Sequence, residues 1–362
     1  MLVAFAKLPQ MSQQIPLFDD AMPATTSAKN GNGTIVIAAL SEMVTGQEAD
    51  IFVLMTTKEE LKTRDGKPYF KVAFRDHGRE VSFPIWGDSA WAIDCKEKWQ
   101  PGKFYKVRAI YRETNYGPQL EIRRIRETTE ADGSDGFTPA MCLPQTRFAA
   151  REMFAELVEI ARGKIVDTAL SRLVLDLLET HHEQLLTLPA ATHNHHAFAG
   201  GWLEHVLSVT RTCVYLADKY DEYYPEMRPR LNKSLVVAGG ILHDIGKLRE
   251  IEELPTGAEY TASGNLIGHI LQGRDIVREA AAGRDIDPEI LLRLEHIIVA
   301  HQRLPEWGSP KPPMTPEALL VHYADDVDAK YHMMVQILRD DTSAGPVTTK
   351  KNVLGQKLYR GV

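Results

Sequence analysis

Cysteine is scarce in this chain of 362 residues, which contains only Cys95, Cys142 and Cys213. Their number is odd, they lie far apart, and no CxxC spacing occurs. The sequence therefore predicts neither a disulfide framework nor a thiolate metal site. We expect reduced cysteines that pack in partly buried positions.

Long apolar runs are also lacking. Stretches such as residues 235–242 are far shorter than the roughly 20 residues of a membrane-spanning helix. The first residues show no basic flank followed by an apolar run, which is the pattern of a signal peptide. We therefore expect a cytoplasmic protein without membrane contact. Hydrophobic residues still make up 44% of the chain, enough for two or three folded domains.

An overall excess of positive charge is missing as well. The formal net charge of −7 argues against a protein that coats nucleic acid nonspecifically. Between Lys103 and Arg126, however, seven basic residues accompany only two acidic ones, a local balance of +5. This segment is the best electrostatic candidate for contact with a phosphate backbone.

Residues 1–46 mix Gln, Pro, Ser, Thr, Gly and Asn without sustained periodicity, a composition typical of a disordered arm. The island Gln14-Ile15-Pro16-Leu17-Phe18 places large apolar side chains where nothing local can bury them. It resembles the pentapeptide with which many bacterial replication and repair proteins bind the sliding clamp. A flexible arm suits such docking. Gln14, Leu17 and Phe18 are therefore predicted partner contacts.

Apolar and polar residues alternate from about residue 47 to 127, for example at Phe70, Val72 and Phe74. Turn signals separate the runs, and residues 87–99 are long enough for a helix between the third and fourth strands. Five strands with a helix after the third is the order of an OB-fold barrel. We predict that barrel for residues 47–130, and its exposed face commonly binds single-stranded nucleic acid.

Aromatic and basic residues are interleaved on this predicted barrel, as base stacking and phosphate neutralisation require. Half of the aromatics must fill the barrel core, so those out of phase with Phe70 or on loops are the better candidates. The predicted nucleic-acid contacts are Tyr69, Lys71, Arg112, Tyr116 and Arg123.

A linker at residues 131–146, rich in Gly, Asp, Ser and Pro, precedes a region whose apolar residues recur at three and four. We expect helices near residues 147–162, 165–186, 200–219, 233–246, 264–281, 287–302 and 315–338. The predicted fold class is therefore multidomain α and β: a five-stranded barrel, then an all-α domain at 147–338. Residues 339–362 are expected to be a basic extension.

His243 and Asp244 are neighbours near the end of the predicted helix at 233–246. Side chains roughly 100° apart on a helix can both lean toward an ion beside it. Other predicted helices carry His205, His269, His301 and Asp325 among apolar neighbours, so that their polar ends point inward and need partners. Each histidine taken singly can be a hydrogen-bonded core residue. The set of six favours a buried metal centre.

Nitrogen and oxygen ligands without sulfur favour Mn, Fe, Co, Ni or Mg over structural zinc. Six protein ligands exceed what one open catalytic ion usually takes, so two divalent ions are predicted. Two ions roughly 3.5–4 Å apart can activate water and hold the phosphoryl oxygens during in-line displacement.

The spacing of these six residues resembles the HD superfamily of metal phosphohydrolases. Five phrases in the chain carry a closer resemblance to the YhaM-type 3′-to-5′ exoribonucleases, in which an OB-fold precedes the HD domain. They are Asn-His-His-Ala at 194–197, Gly-Gly-Trp-Leu-Glu-His at 200–205, His-Asp-Ile-Gly-Lys at 243–247, Gly-Ser-Pro at 308–310 and Ala-Asp-Asp-Val-Asp-Ala-Lys at 324–330. The resemblance covers residues 47–338.

This resemblance implies an exonuclease stimulated by Mn or Co that trims single strands from the 3′ end. It implies release of nucleoside monophosphates, with RNA preferred and single-stranded DNA sometimes accepted, and it assigns the six residues as ligands. Fe and Mg, which the nitrogen and oxygen ligands also favour, are further candidate ions. One departure is visible. Family members commonly have a second histidine where this chain has Gln302, followed by Arg303 rather than glycine, and this departure could alter activity.

The catalytic candidates are His243, Asp244, Lys247, His195 and His196. Phosphate contact or proton donation to the leaving oxygen would suit the last three. A solvated polar turn is the alternative for His195 and His196, and more so for His193, whereas His296 is expected to be structural. Asp328 and Lys330 either pair with each other or approach the substrate.

Two other functions stay open at this level. An HD phosphohydrolase of free nucleotides or cyclic dinucleotides would use the same metals but would not need a basic strand-binding face. A nucleic-acid-binding adaptor recruited by the clamp, with an inactive HD site, would be expected to have lost at least one ligand. The sequence leaves the preference for RNA or DNA and the oligomeric state undecided.

Overall fold

The structure is a computed structural model that describes residues 37–114, 117–192, 196–254, 257–341 and 343–361. It begins with a five-stranded antiparallel sheet. The elements of this part are β1 (Glu48–Lys62), β2 (Pro68–Arg75), β3 (Glu80–Trp86), α1 (Ala92–Glu97), β4 (Phe104–Thr114) and β5 (Gly117–Glu127). The strand order is β3-β2-β1-β4-β5. The expected five strands with a helix after the third are confirmed.

The alternating residues of β2 to β5 point into one core, as their period predicts. Val72, Phe74 and Val107 are among those that are fully buried. The central strand β1 is different, because it is buried continuously from Ala49 to Met55. One of its faces lies on the sheet core, and Phe52 and Leu54 on the other face pack with residues near Cys142.

The segment expected to be a linker is folded against the sheet. Two 3-10 helices, Glu130–Asp135 and Pro139–Cys142, form within it. Arg126 Nη1 donates to Asp132 Oδ2 at 2.7 Å, and Cys142 is fully buried. The Gly, Asp and Ser content of this segment serves local caps and turns. Composition alone therefore did not distinguish it from a flexible connection.

The second part is helical, apart from one short hairpin. Its elements are α2 (Ala150–Lys164), α3 (Thr168–Thr180), α4 (His182–Thr187), α5 (Gly201–Tyr223), α6 (Lys233–Leu242), α7 (Lys247–Glu250), β6 (Ile251–Leu254), β7 (Gly257–Tyr260), α8 (Ala262–Ile267), α9 (His269–Ala281), α10 (Pro288–Ala300) and α11 (Pro316–Asp340). One large apolar core lies between these helices.

Three expected helices are shorter or divided. The helix expected at 165–186 is interrupted at His181, between α3 and α4. The one expected at 264–281 breaks at Gly268, whose φ of +79° is unfavourable for other residues. The helix expected at 233–246 ends at Leu242, so His243 and Asp244 lie in the turn that follows α6 and not within it. The β6–β7 hairpin was not predicted.

The three cysteines are free and buried, as expected. The C-terminal residues form an extension that folds back on itself, where Arg360 Nη2 donates to Asp341 Oδ1 at 2.6 Å. Among the helices of the described residues, none combines the length and the apolar character that a membrane span requires.

Candidate active site

The six predicted ligands come together from different elements. His205 lies in the second turn of α5, and Asp325 lies in the middle of α11. His243 and Asp244 follow the last residue of α6, His269 is the first residue of α9, and His301 follows the last residue of α10. The helices that were expected to carry these ligands therefore mostly present them at their ends.

One close approach makes this convergence possible. A Cβ atom at Gly246 would lie 1.9 Å from the carbonyl oxygen of His269, so only glycine lets the start of α9 reach the turn after α6. On the other side, the buried Trp202 Nε1 donates to the carbonyl oxygen of Asp244 at 3.0 Å. The turn that carries Asp244 is therefore held between the start of α9 on one side and Trp202 of α5 on the other.

The ligand atoms form two triads. In the first, His205 Nε2 lies 3.3 Å from His243 Nε2 and 3.2 Å from Asp325 Oδ1. In the second, Asp244 Oδ1 lies 3.2 Å from His269 Nε2 and 3.6 Å from His301 Nε2. Each triad offers three donor atoms at a spacing that suits one metal ion.

Asp244 joins the two triads. Its Oδ1 belongs to the second, whereas its Oδ2 lies 3.8 Å from His205 Nε2 and 3.9 Å from His243 Nε2 of the first. One carboxylate thus presents one oxygen to each group. This geometry fits two neighbouring ions that share a ligand.

The four histidines of the triads are oriented by hydrogen bonds from Nδ1, which leave Nε2 for the centre. The acceptors are Asp328 Oδ2 for His205 at 2.7 Å, Gly240 O for His243 at 2.9 Å, Glu250 Oε1 for His269 at 2.9 Å and Ile298 O for His301 at 2.7 Å. An outer acceptor of this kind fixes both the tautomer and the ring direction of a metal-binding histidine.

Two atoms of the second triad are buried without a hydrogen bond to any described residue, namely Asp244 Oδ1 and His301 Nε2. Buried polar atoms without partners cost free energy, about 1–3 kcal/mol each. A metal ion would satisfy both atoms, so the residues present fit the ions that the sequence predicted.

The charges at the centre are strongly coupled. Burial raises the pKa of Asp244, but Lys247 and the surrounding histidines outweigh burial and hold it well below its usual value. Burial lowers the pKa of His301 to about 4, which keeps its imidazole neutral. Burial also acts to lower the pKa of His205, yet hydrogen bonds to Asp325 and Asp328 raise it to about 10.

Two residues near the centre were not identified from the sequence as site residues. Glu250 is buried, and its Oε1 accepts from both the backbone and Nδ1 of His269, while its Oε2 accepts from Lys247 Nζ at 2.8 Å. The ring of His332 lies against that of His196, tilted by 45°, with ring centroids 3.9 Å apart. Glu250 follows His243 by seven residues, which would place both on one face of a continuous helix. Because the helix containing His243 was expected to end at residue 246, no signal in the sequence pointed to Glu250.

The other site predictions near the centre have different positions. Lys247 is buried and held by Glu250. His196 is buried, with φ +49°, and its Nε2 lies 3.2 Å from Asp328 Oδ2. His193 and His195 lie outside the described residues.

Four further residues singled out in the sequence have defined partners in the structure. Asp328 and Lys330 do not pair with each other, because Lys330 pairs with Asp326 at 2.7 Å and Asp328 accepts from His205. His296 Nε2 accepts from the backbone of Met314 at 2.9 Å, which is a structural role. Gln302 Nε2 lies 3.3 Å from His269 Nε2, so the departure from the family pattern falls at the centre itself.

A cavity of about 980 Å³ opens beside the centre, between the sheet and the helices. His196, Asp328 and His332 line it from the helical side, and residues 75–80 line it from the sheet. The connecting segment between these parts bonds to both of them. His77 N donates to Met141 O at 2.9 Å, and Thr146 Oγ1 donates to Glu204 Oε2 at 2.7 Å.

Four of the predicted nucleic-acid contacts, Tyr69, Lys71, Arg112 and Arg123, lie on the sheet and do not line this cavity. Tyr69 is half-buried against Trp86 with ring centroids 5.2 Å apart, and Lys71 is exposed. Arg112 and Arg123 both pair with Glu121, at 2.9 and 2.7 Å. Trp86, nearly half exposed beside Tyr69, is an aromatic that the sequence reasoning missed. Tyr116 and the predicted partner contacts Gln14, Leu17 and Phe18 lie outside the described residues.

The local positive charge is largely neutralised by acidic side chains, four of them outside residues 103–126 and one, Glu121, within that segment. Six of the seven basic residues between 103 and 126 form ion pairs, while Arg124 forms none with any residue that the structure describes. The pairs are Lys103–Glu127, Lys106–Asp135, Arg108–Asp50, Arg112–Glu121, Arg123–Glu121 and Arg126–Asp132. The balance of +5 counted along the sequence therefore overstates the basic character of this surface.

The chain is similar to known proteins in both of its parts. The family model of the HD domain matches residues 202–330. The 3′-5′ exoribonuclease YhaM of Bacillus licheniformis is 31% identical over 299 residues, which cover 81% of this chain and 88% of that protein. Among solved structures, the second OB-fold domain of replication protein A from Methanococcus maripaludis matches 26% of this chain and 97% of its own, with 14% identity and a TM-score of 0.21. This chain belongs to the YhaM family of HD-domain proteins.

Proposed function

We propose that this protein is a metal-dependent 3′-to-5′ exonuclease that hydrolyses the phosphodiester bonds of single-stranded RNA and also accepts single-stranded DNA. The observation that carries the proposal is the pair of ligand triads joined by Asp244. The name of the Bacillus licheniformis relative, a 3′-5′ exoribonuclease, supports the polarity and the substrate. In this proposal residues 47–130 close into an OB-fold that holds the strand, and residues 147–338 hydrolyse it.

Two divalent ions would be held by the triads, with Mn or Co as the first candidates and Fe or Mg as others. His205, His243 and Asp325 would hold one ion, and His269 and His301 the other, with Asp244 shared. When bound, such ions polarise a water molecule and neutralise charge on the phosphoryl oxygens.

The protein's own side chains keep the centre ready for this chemistry. The Nδ1 hydrogen bonds hold each histidine with Nε2 directed inward. Lys247, fixed by Glu250, adds a buried positive charge that keeps the Asp244 carboxylate ionised. These residues position the ligands and need not contact the substrate.

In the proposed reaction the oxygen of water bonds to phosphorus while the bond from phosphorus to the upstream 3′ oxygen breaks. The leaving oxygen takes up a proton, and a nucleoside 5′-monophosphate is released. We assign the donor of that proton to His196, because it lines the cavity beside the centre and is held by Asp328. His195, which precedes it, is a second candidate from the sequence.

Strand binding is assigned to the sheet. Tyr69 and the neighbouring Trp86 offer aromatic faces on which bases can stack, and Lys71 offers an exposed positive charge. Arg112 and Arg123 would contact phosphates by exchanging their shared partner Glu121. Tyr116 keeps the same role from the sequence alone.

Labelled oligonucleotides test the proposal directly. RNA and DNA of the same sequence, labelled at either the 5′ or the 3′ end, are incubated with Mn and the products are sized. We expect a mononucleotide at once from the 3′ label and a ladder that shortens stepwise from the 5′ label. Internal cuts, mononucleotide release from the 5′ label, or activity that persists after Asp244→Ala would contradict it.

A second candidate function is the hydrolysis of free nucleotides or cyclic dinucleotides. It is favoured by the ion pairs that neutralise the basic residues of the sheet, and the cavity volume of about 980 Å³ is large enough for such a ligand. Faster turnover of a cyclic dinucleotide than of an oligonucleotide would select this function. An adaptor with an inactive site is disfavoured by the complete ligand set.

We also propose docking on the bacterial sliding clamp, from the sequence of residues 14–18 alone. A cytoplasmic location is proposed as well, from the sequence. Leu17→Ala combined with Phe18→Ala should eliminate binding to purified clamp in a pull-down and leave hydrolysis intact. Phe5→Ala combined with Leu8→Ala, in the same arm, is the matched control. Equal binding by both double variants would rule the peptide out.

A further inference from the structure

The outward side of α11 carries a continuous row of large apolar side chains. Six residues, spaced by four, four, four, four and three positions, are between 36% and 68% exposed. We call them the α11 ridge: Leu319, Tyr323, Val327, Tyr331, Val335 and Leu338. Over these positions α11 extends for about 28 Å. Ala318, Val321 and Ala324, on the sides of the helix that face the core, are fully buried.

The informative feature of the row is that its members are contiguous. Exposed apolar residues are commonly scattered, whereas a contiguous patch marks an interaction surface. Trp307, itself nearly half exposed, widens the patch because its ring lies 5.2 Å from Lys330 Nζ of α11. The surface therefore suits a partner that covers a long and narrow apolar ridge.

The order of side chains along the ridge identifies that partner. Read from either end, residues 319 to 335 alternate as aliphatic, tyrosine, aliphatic, tyrosine and aliphatic, with Val327 at the centre. We propose that the α11 ridge pairs with the α11 ridge of a second copy of this chain across a twofold axis at Val327. Leu319 then faces Val335 of the partner, and Tyr323 faces Tyr331 of the partner. A twofold contact requires this self-complementarity.

Helix packing geometry agrees with the proposal. Residues four apart form ridges inclined at about −26° to the helix axis, and two such ridges lie along one another when helices cross at about −50°, the commonest crossing class. The six side chains offer on the order of 500 Å² per chain, and Trp307 with bordering polar residues extends the surface toward the ~800 Å² per partner of a standard interface.

The same helix connects the interface to the candidate active site. Asp325 and Asp328 lie on α11, and Tyr331 both belongs to the ridge and lines the cavity of about 980 Å³. In the dimer the partner's Tyr323 would lie at the edge of this cavity. The two cavities would then open toward the shared pair of helices.

The first test is the mass of the full chain in solution, measured by sedimentation with matched variants. We expect a wild-type dimer and a shift to monomer for Val327→Glu, because the twofold axis brings the two new carboxylates together. Val353→Glu is the control, since both valines are 60% exposed, and it should remain dimeric. A monomeric wild type at tens of micromolar, or a dimeric Val327→Glu, would overturn the proposal.

The second test addresses the register and excludes other occupants. Tyr323→Lys and Tyr331→Glu should each raise the dimer Kd at least tenfold, and both changes in one chain should restore dimerisation, because position 323 faces position 331 of the partner. A chain lacking residues 1–36 should dimerise as the wild type does. Absence of restoration would refute the antiparallel register, and loss of the dimer without the arm would identify the arm as the occupant.

Discussion

Asp244 is the residue on which the candidate centre depends, because each of its oxygens is directed to a different triad. Asp244→Asn should lower the bound Mn from two ions per chain and reduce hydrolysis by more than the ~10–100-fold that loss of an outer partner costs. Elemental analysis and a phosphodiesterase assay measure the two effects. Asp326→Asn is the control, since Asp326 follows a ligand but pairs with Lys330. Two ions retained in Asp244→Asn would contradict the shared-ligand geometry.

His205 makes metal binding depend on pH. Its pKa is raised to about 10 in the protein without ions, so at pH 7 to 9 it carries a proton that a metal must displace. The metal affinity should therefore rise with pH, by about tenfold for each pH unit if one proton is released. Calorimetry in buffers of different ionisation enthalpy measures this release. A metal affinity independent of pH across that window would show that His205 binds metal without losing a proton.

The convergence of the six candidate ligands could be predicted from the sequence, whereas their supporting contacts could not. His205, His243 and the other four stand out because a buried metal centre would restrict both residue type and spacing. Glu250 touches His269 across 19 positions in sequence, and glutamate is common on surfaces. Lys247 was predicted near phosphate, but the structure holds it on Glu250. Only the fold reveals such pairings.

At the scale of elements, α11 contributes both to the candidate active site and to the proposed interface. It presents Asp325 on one side and the α11 ridge on the other. It begins at the cap residue Thr315, whose hydroxyl accepts from Ala318 N at 3.2 Å. Thr315→Ala should lower the free energy of unfolding by about 1 kcal/mol in denaturant titrations. Thr168→Ala, an exposed first-turn position in α3 without a capping role, should change it by less than about 0.5 kcal/mol. Equal effects would mean that the cap does not limit the stability of α11.

Alternation of apolar residues predicted most of the strands, and their recurrence at three and four positions predicted most of the helices. These patterns did not give all of the ends. The ends depend on contacts that are distant in sequence. The helix before His243 ends early, and Gly246 then meets the carbonyl oxygen of His269 on another helix. The central strand β1 has no alternation because residues near Cys142 cover its second face. An alternating pattern shows only that one face of a segment is buried. These segments are in contact with the rest of the protein on two sides, so the pattern does not give their ends.

At the scale of the whole molecule, the proposed strand binding requires a chain with a net charge of −7 to bind a polyanion. Six of the seven basic residues between positions 103 and 126 already have acidic partners. For single strands, the logarithm of the binding constant falls with the logarithm of the salt concentration by about 0.7 for each phosphate neutralised. Seven engaged residues would thus give a slope of about −5, whereas one or two give a slope near −1.

We expect the shallow slope, because exchanging an ion pair for a phosphate contact gains little charge neutralisation. Binding of a long single-stranded RNA, measured by fluorescence anisotropy from 50 to 300 mM salt with the Asp244→Asn variant to prevent cleavage, gives the value. Base stacking should then dominate the free energy of strand binding. Tyr69→Ala combined with Trp86→Ala should weaken binding by about 1–3 kcal/mol for each base released. Tyr223→Ala, which changes an exposed tyrosine of α5, is the control and should leave binding unchanged. A slope near −5 would mean that the ion pairs open on binding and that the basic segment, as its sequence first indicated, grips the backbone.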